Sequence, residues 1–318
     1  MEVIGIDTRQ VERLARILRG RREKLETLDV FDERYYPPAN SDRESVIRYF
    51  LVVVALDHRL SRPGKPYEAC IEGDGCYHGA DLLYRLAMKK YMEDPEWYSP
   101  EHLASITVDE VMDWLSIGES SPPDPEVRTL LLKDIGVKLS RLYDGSATKL
   151  VDSSNNRLHG SLGEPGLIDN LRVFRAYEDP VEKKPLLLAK FLIARGLFKP
   201  VDGLDVAVDN HLSRIALRTG IVMVSGALWN KIRRGVEVDW EEDVLIRMTV
   251  RRAYRLLAEK ARLDPGVLDD YLWIHGRKTC LRDEEPRCHM CLFRGVCLAY
   301  RNKAFMVREH TYYNTWYY

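Results

Sequence analysis

The chain reads as a succession of amphipathic helices. Val11, Leu14, Ala15, Leu18 and Leu25 recur at a mostly three-to-four spacing on a basic background, which predicts a helix within 7–28. Tyr35-Tyr36-Pro37-Pro38 breaks it. Ser41 followed by Glu44 has the form of a capping box and opens the apolar run Val46 to Leu56. That run is apolar almost all round and predicts a buried central helix, with a strand as the alternative for Val52-Val53-Val54. Gly64, Pro66, Gly73 and Gly75 mark a loop over 57–79. Helices are predicted over 78–93, after Ser99-Pro100, after the Thr107…Glu110 capping box, and over 126–143, 167–177 and 186–197. Three more run from Asp209 to Thr219, from Glu242 to Ala261 and from Asp264-Pro265 to His275. The Ser- and Asn-rich stretch 152–166 reads as a long loop. No pair of strands with a hairpin signal and no internal repeat stands out, so the fold class is all-α. Two helical lobes are expected, one over 40–204 and one built from 1–39 and 205–318.

Composition narrows the class. With 318 residues, 45% of them hydrophobic, the chain can bury two cores and is not dominated by disorder. The longest apolar run is far below the ~20 residues of a membrane span. The start lacks the pattern of a secretory leader. These features lead us to expect an intracellular monomer with no membrane partner. The 48 basic and 49 acidic residues give a net charge of −1, so nucleic-acid binding would need a local basic face. Arg247, Arg251, Arg252 and Arg255 form a basic stripe, read as a solvated face first and a phosphate-contacting face second.

Cys280, Cys288, Cys291 and Cys297 are spaced C-x7-C-x2-C-x5-C. Four thiolates this close in sequence can close on one metal centre. Zinc sites more often use two separated C-x-x-C knuckles, whereas one C-x-x-C between longer arms suits a [4Fe–4S] cluster. Arg277, Lys278, Arg282, Arg287, Arg294 and Arg301 surround the four. Cys70 and Cys76 read as two unpaired thiols in a loop, with a disulfide between them as the thermophile alternative.

The segment Trp273 to Cys280, followed by Pro286-Arg287-Cys288…Cys291…Cys297, resembles the iron–sulfur loop of endonuclease III and its adenine glycosylase relatives. The first arm is one residue longer than in that family. Ala207-Val208-Asp209-Asn210-His211 likewise resembles the Val-Asp-Thr-His segment of the helix–hairpin–helix glycosylases. The resemblance implies a DNA-glycosylase-like fold, a C-terminal [4Fe–4S] loop, damaged duplex DNA as partner, and Asp209 as the catalytic carboxylate. The chemistry suits that residue type, because a fixed anion stabilises an oxocarbenium-like sugar. A plain helix cap is the competing role for Asp209, and packing or capping is the role expected of His211.

The family's Gly-rich hairpin holds a DNA phosphate on backbone N–H groups. The matching stretch here, Asp179-Pro180-Val181-Glu182-Lys183-Lys184-Pro185, has no glycine. Lyase members carry a nucleophilic lysine in this region, which makes Lys183 and Lys184 candidate nucleophiles, with solvated surface lysines as the alternative. Asp179-Pro180-Val181-Glu182-Lys183 is also similar to an element of an archaeal 8-oxoguanine glycosylase type.

A second resemblance runs through the middle of the chain. Tyr77-His78-Gly79, Asp134-Ile135-Gly136, Tyr143-Asp144-Gly145-Ser146, and Phe174…Tyr177…Asp179…Lys183-Lys184 are similar to queuosine-salvage nucleoside hydrolases. That family would imply a free modified nucleoside in place of DNA. A non-catalytic nucleic-acid-binding protein is the third reading. Asp57, His58 and Arg59, at the end of the apolar helix, are candidates to line a base pocket, or else a solvated helix end. The aromatic tail Tyr312 to Tyr318 is expected to pack on the body, with base stacking as the alternative.

Overall fold

The run from Val46 to Leu56 is helical, and every residue in it except Arg48 is buried. Its valines have only a slightly lowered helix propensity. Burying each one is worth ~1.5–3 kcal/mol, so packing decides the conformation. The computed structural model describes residues 4–62, 64–161 and 163–318; the opening residues read for a leader lie partly outside these.

The chain opens with β1 (Ile4–Ile6) and α1 (Thr8–Arg19), followed by α2 (Arg43–Leu56), β2 (Glu68–Ile71), β3 (Gly75–His78) and α3 (Ala80–Glu93). Next come α4 (Pro100–Ser105), α5 (Val108–Leu115), α6 (Pro125–Tyr143), α7 (Ala147–Asp152), α8 (Leu167–Leu171) and α9 (Lys183–Ala194). The remainder is α10 (Asn210–Thr219), β4 (Val222–Val224), α11 (Gly226–Arg234), α12 (Trp240–Ala261), α13 (Pro265–Lys278) and α14 (Leu298–Arg301). The class is all-α, and among the described residues no helix is long and apolar enough to cross a membrane.

These elements form two compact units. The first comprises the residues up to Leu28 with Asp205–Thr315, and the second Asp29–Leu204 with Trp316–Tyr318. Residues 29–39 and 316–318 thus group with the second unit, not with the lobe expected to hold them. For 29–39 the reason is aromatic packing: Tyr36 sits 5.9 Å from Phe50 and 5.5 Å from Phe191, ring centre to ring centre.

In the first unit, α12 supplies Val250, Ala253, Tyr254 and Leu257 to a core that also takes Val11, Leu14, Ala15 and Leu18 from α1. In the second, α2 is central and α9 lies along it, with Phe50 stacked on Phe191 at 5.0 Å. Glu44 accepts from the N–H groups of Ala147 and Thr148 at 2.7 and 2.8 Å, so it caps α7. Asp42, not Ser41, caps α2, through Ser45 N.

Several expectations are corrected. Two antiparallel strand pairs exist, β1 with β4 and β2 with β3. Glu72-Gly73-Asp74 makes the turn of the second pair, with Gly73 at φ +72°, where glycine is favoured. Cys70 stands opposite Cys76 across it, and the two form a disulfide, so they are not free thiols. The first helix stops at Gly20, whose N–H satisfies the last carbonyls. Arg247 and Arg251 are not solvated: they are buried against Asp243 at 2.8 Å and Asp205 at 2.9 Å.

Candidate functional site

Asp209 is the N-cap of α10. It is partly exposed, and its Oδ1 accepts from the Leu212 N–H at 2.8 Å. The adjoining Asn210 accepts from Arg247 at 2.8 Å, and Arg247 is held in turn by Asp243. One turn further on, buried Arg214 donates to Cys280 O at 3.0 Å, Gly276 O at 2.8 Å and Glu309 at 2.8 Å. Arg218 donates to Val307 O, Leu281 O and, at 3.3 Å, to Cys280 Sγ. The helix that carries Asp209 is therefore riveted to the cysteine loop by two buried guanidinium groups. Such bracing gives a site carboxylate a fixed aim. Gly276 completes the arrangement, because a Cβ there would stand 2.7 Å from His211 Cβ. Only glycine lets α13 come this close to α10. Burial, with Arg214 beside it, pushes His211 down to about 3, so its imidazole is neutral.

The four cysteines line one cavity together with Arg218, His275 and Arg294, and no carboxylate is among the described residues around it. A cationic rim suits a group held by anionic thiolates. Among the described residues no set of three or more His, Cys, Asp or Glu closes on a single metal ion. Burial pushes the unligated Cys291 thiol up to about 12. The basic flank is mixed: Lys278 pairs with Glu26 at 2.9 Å, Arg282 with Glu309 at 2.6 Å, and Arg277 lies 4.4 Å from the Trp273 ring centre.

In the second unit, Lys183, Lys184, Asp57 and His58 come together at the C-terminal end of α2. Neither lysine is solvated, which overturns that alternative. Lys184 Nζ donates to Ala55 O at 2.5 Å and Trp316 O at 2.6 Å and lies 3.2 Å from His58 Nδ1. Lys183 Nζ donates to Asp57 O at 2.7 Å, with the Asp57 carboxylate at 3.6 Å. Arg128, also buried, takes Leu56 O, His58 O and Arg59 O at 2.6–3.1 Å. Three cations thus satisfy five successive carbonyls at the negative end of a helix. Burial pulls Arg128 down to about 10 and, with Lys183 and Arg128 nearby, Lys184 well below the ordinary lysine range. Burial and the same cations also keep His58 neutral, and its Nε2 has no partner. Arg59 turns away to Asp124 at 2.9 Å.

The glycine-free stretch before α9 is a tight turn. Asp179 takes the N–H of Val181 at 2.8 Å and of Lys183 at 2.5 Å on its carboxylate, and the N–H of Glu182 on its carbonyl. Glu182 adopts φ +61°, a left-handed conformation that favours glycine. It is pinned there by Arg172 at 2.6 Å and His159 at 3.2 Å. An internal carboxylate therefore occupies backbone donors that could have met an external anion. Sequence reading missed the roles of Asp179, Arg128, Arg214 and Arg218. Only Asp179 had a local signal, since Asp before Pro commonly opens a turn.

The all-α architecture built from these elements is similar to the fold of a solved endonuclease III–DNA complex. A trapped endonuclease III–DNA covalent intermediate, an estranged-adenine complex, matches with a TM-score of 0.51 and 14% identity over 94% of this chain and 99% of that one. A non-covalent endonuclease III–DNA complex gives 0.49 at 12% identity, covering 94% of this chain and 98% of that one. A thermostable thymine-DNA glycosylase gives 0.42 at 14% identity, covering 92% and 94%. No family model and no curated protein matches the chain.

Proposed function

We propose that the chain is an N-glycosylase that cleaves the bond between a damaged or modified base and its sugar in DNA. The observation that carries this reading is Asp209: a partly exposed carboxylate at a helix start, on a helix braced by Arg214 and Arg218. A fixed anion of this kind stabilises positive charge as it develops on the sugar. Its cap bond to Leu212 N occupies one oxygen and aims the group. Lyase action would need an amine to attack C1′. The base then leaves with the bond's electrons, and an imine to the opened sugar follows. Lys183 or Lys184 is the proposed amine; borohydride trapping on abasic DNA in the two Lys→Ala variants would identify it.

Cys280, Cys288, Cys291 and Cys297 would hold a [4Fe–4S] cluster, whose bonds to the thiolates tie the loop together. Protein purified without oxygen should carry about four irons and four sulfides per chain; stoichiometric zinc without iron would contradict this assignment.

A second reading, a hydrolase of a free modified nucleoside, draws support from Asp179. Its carboxylate fills the turn's N–H groups, and a substrate without a phosphate backbone has no need of them. One experiment tests both readings. Lesion-bearing duplexes and free nucleosides are incubated with the protein, and released base is identified by mass spectrometry. The DNA reading expects release from a duplex, with binding that weakens by a log–log slope of about −0.9 per phosphate contact as salt rises. Release from free nucleosides with salt-independent binding would favour the second reading, and no release from either would sink both.

A further inference from the structure

The segment Trp316–Tyr318 packs within the second unit on the same cluster that holds the lysine pair. Trp316 O accepts from Lys184 Nζ at 2.6 Å, and the Tyr318 hydroxyl donates to Asp179 Oδ1 at 2.7 Å. Tyr318 O accepts from Arg59 N at 2.9 Å, and the Trp316 indole donates to Arg175 O at 3.0 Å. Tyr318 is buried, whereas Trp316 and Tyr317 are half-buried. Three residues with no regular secondary structure and no disulfide thus cover a buried amine and a buried carboxylate, through two bonds that reach the cluster's polar groups.

We propose that Trp316–Tyr318 is a displaceable strap over Lys184 and Asp179, and that the place it fills takes a nucleobase. The nucleobase half rests on the N-glycosylase reading. The argument is one of satisfaction. If the strap leaves, Lys184 loses an acceptor and Asp179 loses a donor, with Ala55 O, His58 and the turn before α9 still beside them. A buried polar group left without its partner costs about 1–3 kcal/mol. Whatever replaces the strap must supply an acceptor to Lys184 and a donor to Asp179, on an aromatic frame that fills the space of the Tyr318 ring. A nucleobase edge offers an acceptor beside an N–H donor on a flat ring. The strap offers the same pair, a carbonyl from Trp316 and a hydroxyl from Tyr318. His58, whose Nδ1 lies 3.2 Å from Lys184 Nζ and whose Nε2 is buried and unpartnered, adds a further group that a ligand could satisfy.

The test uses the full chain, a variant lacking residues 316–318, and Tyr318→Phe, which deletes only the bond to Asp179. Each is pulsed with the acetyl ester of N-hydroxysulfosuccinimide, and acetylation is read peptide by peptide. This readout needs no base release, so its failure is distinct from failure of the N-glycosylase reading. Deletion should raise the acetylation rate of Lys184 about tenfold, the weight of the hydrogen bonds lost. Lys190, buried on the same helix, should not change, and Tyr318→Phe should fall between parent and deletion. A mixture of the four 2′-deoxynucleosides should slow the labelling of Lys184 in the deletion variant. Unchanged labelling of Lys184 in both variants would overturn the strap. So would a rise at Lys184 and Lys190 together, which would make the segment a structural staple. No protection by the nucleosides would overturn the ligand.

Discussion

Two buried basic groups, one in each unit, are held by different means. In the first, Arg214 faces a buried carboxylate, Glu309, which Arg282 also reaches. In the second, Lys184 donates to Ala55 O and Trp316 O and lies beside His58 Nδ1. It is held by two backbone carbonyls, Ala55 O at the end of α2 and Trp316 O. The contrast matters because the two arrangements fail differently. Removing one partner of an ion pair strands a charge in a poorly solvated place. Removing a cation from a helix end strands only dipoles, each of lesser cost.

This contrast can be broken by substitution. Arg214→Met should cost the most, about 3–5 kcal/mol in urea unfolding, since Glu309 is left with Arg282 alone. Gly276→Ala should follow at about 1–3 kcal/mol, because α13 must back away from His211. Lys184→Met should cost less than either, about 1 kcal/mol, as its stem is matched and only carbonyls go unpaired. Equal losses for Arg214→Met and Lys184→Met would erase the distinction between the two arrangements.

The smallest effect is in pH. Lys184 and His211 both bind protons less readily folded than unfolded. Each therefore contributes stability that is complete above its unfolded pKa and is lost as pH falls. For Lys184 the loss begins near ~10.4, and for His211 it runs from ~6.5 down to about 3. The melting temperature should fall from pH 10 to pH 7, and Lys184→Met should flatten that part of the profile. An unchanged slope in the variant would mean that Lys184 stays charged when folded.

The helices were legible because their apolar spacing is local: α2, α6, α10 and α12 lie within a few residues of where the pattern puts them. The four-cysteine loop was legible for the same reason, as its spacing is carried by 18 consecutive positions. The hairpin of β2 and β3 was not, since each strand has four residues and alternates only weakly. The burial of Lys183 and Lys184 was not legible, because a charge in a sequence carries no sign of what will enclose it. Their partners Asp57 and Ala55 lie more than a hundred residues away. Arg247 was misread for a related reason: its stripe spacing was visible, but its contacts with Asp243 and Asn210 were not.

The central claim is that Asp209 acts through its charge and not only as a cap. Asp209→Asn keeps an oxygen for the Leu212 N–H and removes the anion. The measurement is the rate of base release by the variant, on whichever duplex or nucleoside the parent cleaves, beside the urea midpoints of the two proteins. The account predicts a loss of about 100-fold or more in rate with little change in midpoint. A variant that releases base at the parent's rate would contradict it and leave Asp209 as a helix cap alone.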